Sequence, residues 1–142
     1  MEYTSKVENI TAAMLSGGFF VGWPNPPSPT THLAILQNSY RSWIAIDTTK
    51  TPAVVVGFVN AVSDGVLSAY IPLLEVLPTY QGQGIGQELV RRMLADLSML
   101  YMVDVAHDVE LVDYYAKFGA SPSQASIFRN YEAQSGFKTS EP

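Results

Sequence analysis

The sequence predicts a mixed α/β fold, with a central mixed sheet that begins as an antiparallel meander and continues through a β-α-β crossover. Three apolar, β-rich runs separated by turn signals occupy residues 42–77 and predict the meander. A helical apolar period then extends to about residue 100 and is followed by a further short apolar run, which predicts the crossover. The chain has 142 residues, of which 47% are hydrophobic, so we expect one domain over residues 1–142 with a buried core.

Short helices around a proline-rich loop are predicted before the sheet. Val7–Leu15 can form a short helix that the two following glycines end. Four prolines in Trp23–Pro29 exclude a helix interior or a central strand, so this stretch is predicted to be a loop. Thr30 or Thr31 can then cap a helix that runs to about Ser39.

The three predicted strands of the meander are Ser42–Asp47, Ala53–Val62 and Val66–Leu77. The dipeptide Asp64-Gly65 is typical of a tight hairpin turn and joins the last two strands. Because Pro72 has no N–H to donate to a ladder, we expect a bulge or an unpaired edge near it.

The second half of the chain supplies the crossover. Residues 84–100 place their large apolar side chains on one helical stripe, and Tyr101–Ala106 then forms a strand parallel to the preceding one. Asp108 can cap a helix over Val109–Phe118 that Gly119 ends. Ile127–Tyr131 has the composition of a last strand, and residues 134–142 are expected to fray.

Composition excludes several function classes. The formal charge of -5 argues against nucleic acid and against an anionic membrane surface as partners. The absence of cysteine excludes disulfides, thiolate zinc sites and cysteine nucleophiles, and two histidines are too few for a histidine-rich site, so we expect no metal. The N-terminus has no basic segment followed by an apolar run, and no apolar run is long enough to span a membrane, so we expect a cytoplasmic protein.

Three alternate glycines, Gly82, Gly84 and Gly86, lie between a predicted strand and a predicted helix. Glycine lets backbone N–H groups approach a ligand, and a helix N-terminus adds unpaired donors and a positive dipole end. The loop therefore predicts a site for a phosphate or pyrophosphate. It is neither a Walker loop, which needs Gly-Lys-Ser/Thr, nor a dinucleotide fingerprint, whose sixth position is here Gln87. A glycine-rich connection that serves packing alone and a binder of another nucleotide phosphate are the alternatives.

Two motifs carry a family resemblance. Val76-x-Pro78-x-Tyr80-Gln81-x-x-Gly84-x-Gly86 resembles the acetyl-CoA motif of the GNAT superfamily of N-acetyltransferases. Tyr114-Tyr115-Ala116-Lys117-Phe118-Gly119-Ala120 resembles the second signature of that family, an aromatic-Tyr pair before a helix-ending glycine. The resemblance covers roughly residues 42–131 and implies the GNAT acyl-CoA N-acyltransferase fold, with helices on both faces of the sheet.

The resemblance also implies an activity. Acetyl-CoA would be the cosubstrate, and its acetyl group would pass to a primary amine by direct attack in a ternary complex. The acceptor would be a small molecule or a peptide. A non-catalytic acetyl-CoA-binding sensor or interaction module with the same fold is the alternative. A homodimer is also implied, because exposed strand ends in this family commonly pair.

Binding roles follow from the resemblance residue by residue. The pantetheine arm would lie between the strand before the glycine loop and the next parallel strand, bound by main-chain groups of Leu74, Val76 and Leu77. The N–H of Val76 would polarise the thioester carbonyl. The pyrophosphate would be held by the loop residues Gln81, Gly82, Gln83, Gly84, Ile85 and Gly86. Arg91 or Arg92 would reach the outer phosphate, unless the pair lies on a solvated helix face.

Catalytic roles follow in the same way. Tyr115 matches the tyrosine that protonates the departing thiolate, and Tyr114 would pack beside it. Glu75 is the best-placed carboxylate for a general base, with Asp104 and His107 as the other two choices.

The remaining implied positions concern the ends of the site. Asp108 stands where the family often has an asparagine that contacts the coenzyme, and a carboxylate is unfavourable beside an anion, so we interpret Asp108 as a helix cap. Phe19, Phe20 and Trp23, together with the proline run, are predicted to form an aromatic wall for the acceptor.

Overall fold

The computed structural model describes residues 1–137, and five strands form one sheet in chain order. They are β1 (Glu2–Thr4), β2 (Arg41–Asp47), β3 (Val54–Ser63), β4 (Ser68–Val76) and β5 (Met102–Asp104). Strands β1 to β4 pair antiparallel, and β5 pairs parallel to β4. The predicted mixed sheet is confirmed. Sequence reasoning missed β1, whose three residues carry too little pattern to be recognised.

Three helices pack around this sheet, namely α1 (Pro29–Asn38), α2 (Ile85–Asp96) and α3 (Val112–Ala116). Helix α1 begins two or three positions earlier than predicted. Its cap is Ser28, whose Oγ accepts a hydrogen bond from Thr31 N at 3.1 Å. Neither threonine caps it, because Pro29, with its fixed φ and missing N–H, suits the first helical position.

The predicted helix over Val7–Leu15 is wrong. Two 3₁₀ turns, Val7–Asn9 and Ala12–Leu15, take its place. The backbone is extended at Ile10, whose side chain is buried in the core, and at Thr11, whose hydroxyl caps the second turn.

The predicted helix over Val109–Phe118 is also divided, into a 3₁₀ turn at Val109–Leu111 and the helix α3. Asp108 precedes the turn but makes no side-chain cap, so its predicted capping role is wrong. Only its main-chain carbonyl accepts a hydrogen bond, from Leu111 N at 3.0 Å. Gly119 does end the helical segment, with φ at 91° and its N–H donating to Ala116 O, while Ala120 N donates to Tyr115 O.

The predicted last strand over Ile127–Tyr131 is wrong as well. Residues 120–130 have no regular secondary structure, and a 3₁₀ turn follows at Tyr131–Ala133. Of the tail expected to fray, Gln134 accepts a hydrogen bond from Asn25 N at 2.8 Å, and residues 138–142 lie outside the described residues. A strand-forming composition yields no ladder here because no strand of the sheet lies beside it.

The core lies on both faces of the sheet. On one face Phe58 of β3 contacts the rings of Phe19 and His32, at centroid distances of 5.2 and 4.3 Å. On the other face α2 packs against Gly57, where an added Cβ would lie 3.2 Å from Leu89 Cδ1 and 3.3 Å from Ile85 Cγ2. Helices therefore cover both faces, and the missing side chain at Gly57 lets α2 approach the sheet closely. Within residues 1–137, no helix combines the length and apolarity that crossing a membrane requires.

Strand β4 bends away from β5. The β3–β4 register passes from Asn60↔Leu73 to Val62↔Tyr70, so Ile71 and Pro72 together face one residue of β3, and the predicted bulge is confirmed. Pairing of β4 with β5 ends at Tyr70↔Asp104. Residues 71–76 of β4 therefore have no strand partner on that side.

Candidate active site

A groove of about 640 Å³ opens where β4 and β5 separate. One wall is the second half of β4, and the other is formed by residues 105–108 with Leu111 and Tyr115. Val21, Trp23, Pro78 and Gln81 also line it. Six of the site residues predicted from the sequence line the groove, namely Leu74, Glu75, Val76, Gln81, His107 and Tyr115. Leu77 and residues 82–86 of the glycine loop are not among its lining residues.

Main-chain groups of β4 face this groove. Leu77 N donates to Val56 O at 2.8 Å while Val76 pairs with Gly57, so the N–H and C=O of Val76 point away from β3. The same alternation turns the main chain of Leu74 towards the groove. Leu77 differs, because its N–H is bonded to β3 and its carbonyl accepts from Tyr80 N. The geometry therefore favours Leu74 and Val76 over Leu77 as main-chain donors.

The glycine loop presents unpaired donors to open space. Gly82 and Gly84 have φ values of 77° and 82°, and a Cβ added to either would meet nothing within 4 Å. Gly84 caps α2, and its carbonyl accepts the first helical hydrogen bond, from Glu88 N at 3.0 Å. The N–H groups of residues 85–87 therefore have no helical acceptor, and with the helix dipole they suit a bound anion.

Gln81 ties this loop to the strand before it. Its Nε2 donates to the carbonyl of Val76 at 3.0 Å. That carbonyl is therefore partly satisfied within the protein, whereas the Val76 N–H keeps its orientation towards the groove. Gln81 supports the loop from the strand end, which adds a structural role to the binding role predicted for it.

Tyr115 lies in the wall opposite β4. It is 7% exposed, its ring stacks on His107 with centroids 4.7 Å apart, and Tyr114 meets it edge-on at 5.1 Å. Burial, with a smaller contribution from Tyr114, raises the pKa of Tyr115 to about 12, so the phenol stays protonated at neutral pH. Within residues 1–137 its hydroxyl has no hydrogen-bond partner. Tyr114 instead packs below the glycine loop, its hydroxyl 3.3 Å from where a Cβ on Gly86 would lie.

Glu75 fastens the N-terminal loop to β4. Its two carboxylate oxygens accept hydrogen bonds from Phe20 N at 2.8 and 2.9 Å, and Oε1 also lies 3.3 Å from Val21 N. Phe20 has a φ of 64° and is the single non-glycine residue with positive φ in the described part of the chain. The carboxylate therefore holds a strained turn next to the groove, a role that sequence reasoning missed.

Of the other charged residues that the sequence singled out, Asp108 lines the groove, whereas Asp104 and the two arginines of α2 do not. Arg91 and Arg92 both pair with Glu88, and the Arg92 guanidinium lies over the rings of Tyr3 and Trp43. These hydrogen bonds lower the pKa of Glu88 to about 2. Neither arginine lines the groove, which favours the interpretation of the pair as a helix surface. Asp104 pairs with Tyr70 before the strands separate and also lies outside the groove, whereas the exposed Asp108 lines it.

The predicted aromatic wall is divided between two cavities. Trp23 lines the main groove, whereas Phe19 and Phe20 line a second cavity of about 200 Å³ beside the proline run. His32 also lines it, is 1% exposed, and has no hydrogen-bond partner for Nε2. Burial lowers the pKa of His32 to about 4, so it is neutral at pH 7. No cluster of three potential metal ligands occurs in residues 1–137.

Comparison with known proteins places this geometry in context. Residues 10–120 match the profile of the acetyltransferase (GNAT) family. The chain is similar to the crystal structure of an acetyltransferase from Deinococcus radiodurans R1, with 41% identity and a TM-score of 0.90, over 97% of this chain and 94% of that one. A GNAT family acetyltransferase from Streptococcus pneumoniae TIGR4 is 27% identical with a TM-score of 0.65, over 91% and 96% of the two chains.

A curated relative adds a match in amino-acid sequence. The chain is 26% identical to GCN5-related N-acetyltransferase 1, chloroplastic, from Arabidopsis thaliana, over 101 residues. This match covers 70% of the present chain and 50% of the length of the relative.

Proposed function

The chain belongs to the GNAT acetyltransferase family, and from this premise we propose that it transfers the acetyl group of acetyl-CoA to a primary amine by direct attack in a ternary complex. One observation carries the proposal. The separation of β4 from β5 directs the main-chain groups of Leu74 and Val76 into a groove bordered by the glycine loop at the start of α2.

The residues present fit acetyl-CoA. Its pantetheine amides need main-chain partners along an extended strand, which Leu74 and Val76 offer. Its pyrophosphate needs several N–H donors and room for close approach, which the open space at Gly82 and Gly84 and the free N–H groups of α2 offer. No lysine or arginine is needed there, in keeping with the acidic chain.

Three groups of the chain act on the transfer itself, namely the Val76 N–H, Tyr115 and Glu75. Bound acetyl-CoA supplies an acetyl thioester. The ammonium form of the amine first gives one proton to the base. The neutral nitrogen then forms a bond to the carbonyl carbon, the carbon–sulfur bond breaks, and the nitrogen gives up a second proton, so that the products are an amide, the coenzyme A thiol and one proton released to solvent. The Val76 N–H donates to the carbonyl oxygen as negative charge develops on it. Tyr115 donates to the leaving sulfur.

The pKa of Tyr115 decides whether the residue can remain deprotonated after it donates to the leaving sulfur. At about 12 it lies above the ordinary thiol value of about 8.5, so a stable tyrosinate beside a thiol would be unfavourable by about 5 kcal/mol. We therefore assign Tyr115 the general-acid role as a relay: its phenol proton passes along the hydrogen bond to the leaving sulfur while a proton from solvent replaces it, so that the thiolate is neutralised and no tyrosinate accumulates.

Glu75 is the proposed base, acting through lone pairs that the N-terminal loop leaves free. A carboxylate has about four acceptor sites, and the N–H groups of Phe20 and Val21 use only part of them. The acceptor would enter past Trp23, and the net charge of -5 favours encounter with a cationic amine.

A non-catalytic acetyl-CoA-binding module is the second candidate function. The same hydrogen bonds favour it, because carboxylate lone pairs that accept from the N-terminal loop are not available to take a proton from an amine. The two candidates share the coenzyme site and differ in turnover.

Calorimetric titration with acetyl-CoA and coenzyme A tests the shared part, with ATP and NAD as controls. We expect saturable binding of the two coenzyme A species alone. Gly84→Asp should weaken that binding at least roughly tenfold more than Gly84→Asn, because both side chains tolerate positive φ and only Asp adds a negative charge. Equal losses would contradict the anion site.

A free-thiol assay over a broad panel of amines then separates the candidates. Release of coenzyme A that depends on an amine supports the transferase. Binding of acetyl-CoA with no turnover on any amine supports the binding module.

A further inference from the structure

The second cavity, of about 200 Å³, is lined by a buried polar group that the protein leaves without a partner. His32, near the start of α1, lines this cavity and is 1% exposed. The rings of Phe19, Phe20 and Phe58 pack against its imidazole and offer it no hydrogen bond. Among residues 1–137, no group forms a hydrogen bond with its Nε2 atom. A buried polar atom without a partner is unfavourable, so a molecule that forms a hydrogen bond with Nε2 gains affinity.

The other walls of the second cavity are largely apolar. Pro26, Pro27 and Pro29 line it and have no N–H to donate. The hydroxyl of Ser16, which also lines it, already donates to the carbonyl of Ala13 at 2.7 Å. A buried water makes about three hydrogen bonds, so walls of this kind favour an occupant with an apolar body over water alone.

The shape and volume of the second cavity suit an aromatic ring. Phe19 and Phe20 both line it, and aromatic side chains pack favourably against another ring in edge-to-face or offset-stacked arrangements. An apolar cavity of about 150 Å³ is sufficient to hold benzene. A cavity of about 200 Å³ therefore has room for one aromatic ring with small substituents.

The lining also defines the charge of the occupant. In the part of the chain that the structure describes, no acidic side chain, lysine or arginine lines the second cavity, so an isolated charge would be unfavourable there. Burial lowers the pKa of His32 to about 4, so the imidazole is neutral at pH 7 and does not pair with an anion. In a neutral imidazole Nε2 is either a donor or an acceptor, and a hydroxyl group can serve as the partner of both. These properties together describe a neutral ring that carries a hydroxyl group.

We propose that the second cavity is a binding site for a small phenol, whose ring packs against Phe19 and Phe20 and whose hydroxyl group forms a hydrogen bond with His32 Nε2. Within residues 1–137 the cavity and the groove share no lining residue, so this site does not depend on the proposed transferase activity. Phe20 connects the two regions, because it lines the cavity while its N–H donates to Glu75 of the groove. A bound phenol therefore lies against the turn that Glu75 holds.

Nitrogen NMR of the histidine side chains tests the location of the site. The chain has two histidines, and His32 lines the second cavity whereas His107 lines the groove. The probe is p-cresol, added to isotope-labelled native protein at pH 7. We expect a saturable change in the chemical shift of His32 Nε2 and no change at His107. A His32 signal that does not change, or a His107 signal that changes with the same midpoint, would overturn the proposal.

Matched ligands test the hydrogen bond by calorimetry. Toluene is p-cresol without the hydroxyl group, so the native protein should bind p-cresol at least about fivefold more tightly than toluene. Benzoate, an aromatic anion of similar size, should not compete for the cavity. Equal affinities for p-cresol and toluene, or displacement of p-cresol by benzoate, would refute the proposed chemistry, and neither result depends on how a variant folds.

Variants of His32 then assign the preference to its side chain. His32→Leu removes the polar atom and should abolish the preference for p-cresol over toluene. His32→Gln supplies a side-chain donor and acceptor and should restore part of it. A preference that survives unchanged in His32→Leu would overturn the assignment of the hydrogen bond to His32.

Discussion

The buried His32 should make the free energy of unfolding depend on pH between about 4 and 6.5, a range that extends above the one in which carboxylates titrate. Its imidazole is 1% exposed among Phe19, Phe20 and Phe58, and burial lowers its pKa from 6.5 to about 4. Between these values the unfolded chain binds a proton that the folded chain does not, so stability rises with pH from 4 to 6.5 and is lost as pH falls. A shift of this size corresponds to about 3 kcal/mol in the free energy of unfolding.

Denaturant unfolding followed at several pH values between 4 and 7.5 measures this effect. The slope of the native protein should approach 1.4 kcal/mol per pH unit near pH 5. His32→Leu and His32→Asn should both lack this contribution, although they differ in polarity and therefore in overall stability. Variant curves that run parallel to the native curve over this range would refute the assignment. Hydrogen bonds lower the pKa of Asp47, Asp64 and Glu88 to about 2, so the stability that these groups contribute is lost mainly below about pH 4.5. It is common to the native and variant curves, whose difference therefore isolates His32.

Two further predictions concern the groove. Tyr115→Phe should lower kcat on the order of 100-fold and leave the Kd for acetyl-CoA nearly unchanged, because it removes a donor that acts on the leaving sulfur. The free-thiol assay measures kcat and calorimetry measures Kd. Equal losses in kcat and in affinity would argue for a packing role. Glu75→Gln should weaken the hydrogen bonds that hold the turn at Phe20 and should shift the emission maximum of Trp23, measured in a Trp43→Phe background. Glu8→Gln changes an exposed carboxylate and should leave the emission maximum where it is. An unchanged emission maximum in Glu75→Gln would contradict the role of Glu75 in holding this turn.

The central part of the fold was predictable because its signals are local. Apolar runs and an Asp-Gly turn identify β2, β3 and β4, and the single proline in β4 identified its bulge. The β-α-β crossover was predicted from the change in the spacing of apolar residues, from strand-like runs before the glycine loop to a helical stripe after it. By contrast, the predicted helix over Val7–Leu15 failed because Ile10 is drawn into the core, and a tertiary contact of this kind has no local signature.

The site was predictable to the extent that motifs define it. The glycine loop and Tyr115 carry recognisable spacing, and both border or line the groove. Glu75 was found by its position next to Val76, but its bond to Phe20 joins residues 55 apart in sequence and could not be foreseen. The binding role predicted for the main chain of Leu77 is not favoured, because the strand register directs its N–H to β3 and not to the groove.

Gly57 links the interior of the protein to the proposed anion site at the start of α2. It lies beneath Ile85, the residue that begins α2 and carries one of the free N–H groups of the anion site. A methyl group there would push against Ile85 and Leu89 and displace the start of the helix, and the donors would move with it. A mutational scan scored on acetyl-CoA affinity should therefore detect Gly57, although the ligand does not contact it. The effect should come from the distance between the sheet and α2, which the absence of a side chain at Gly57 keeps short.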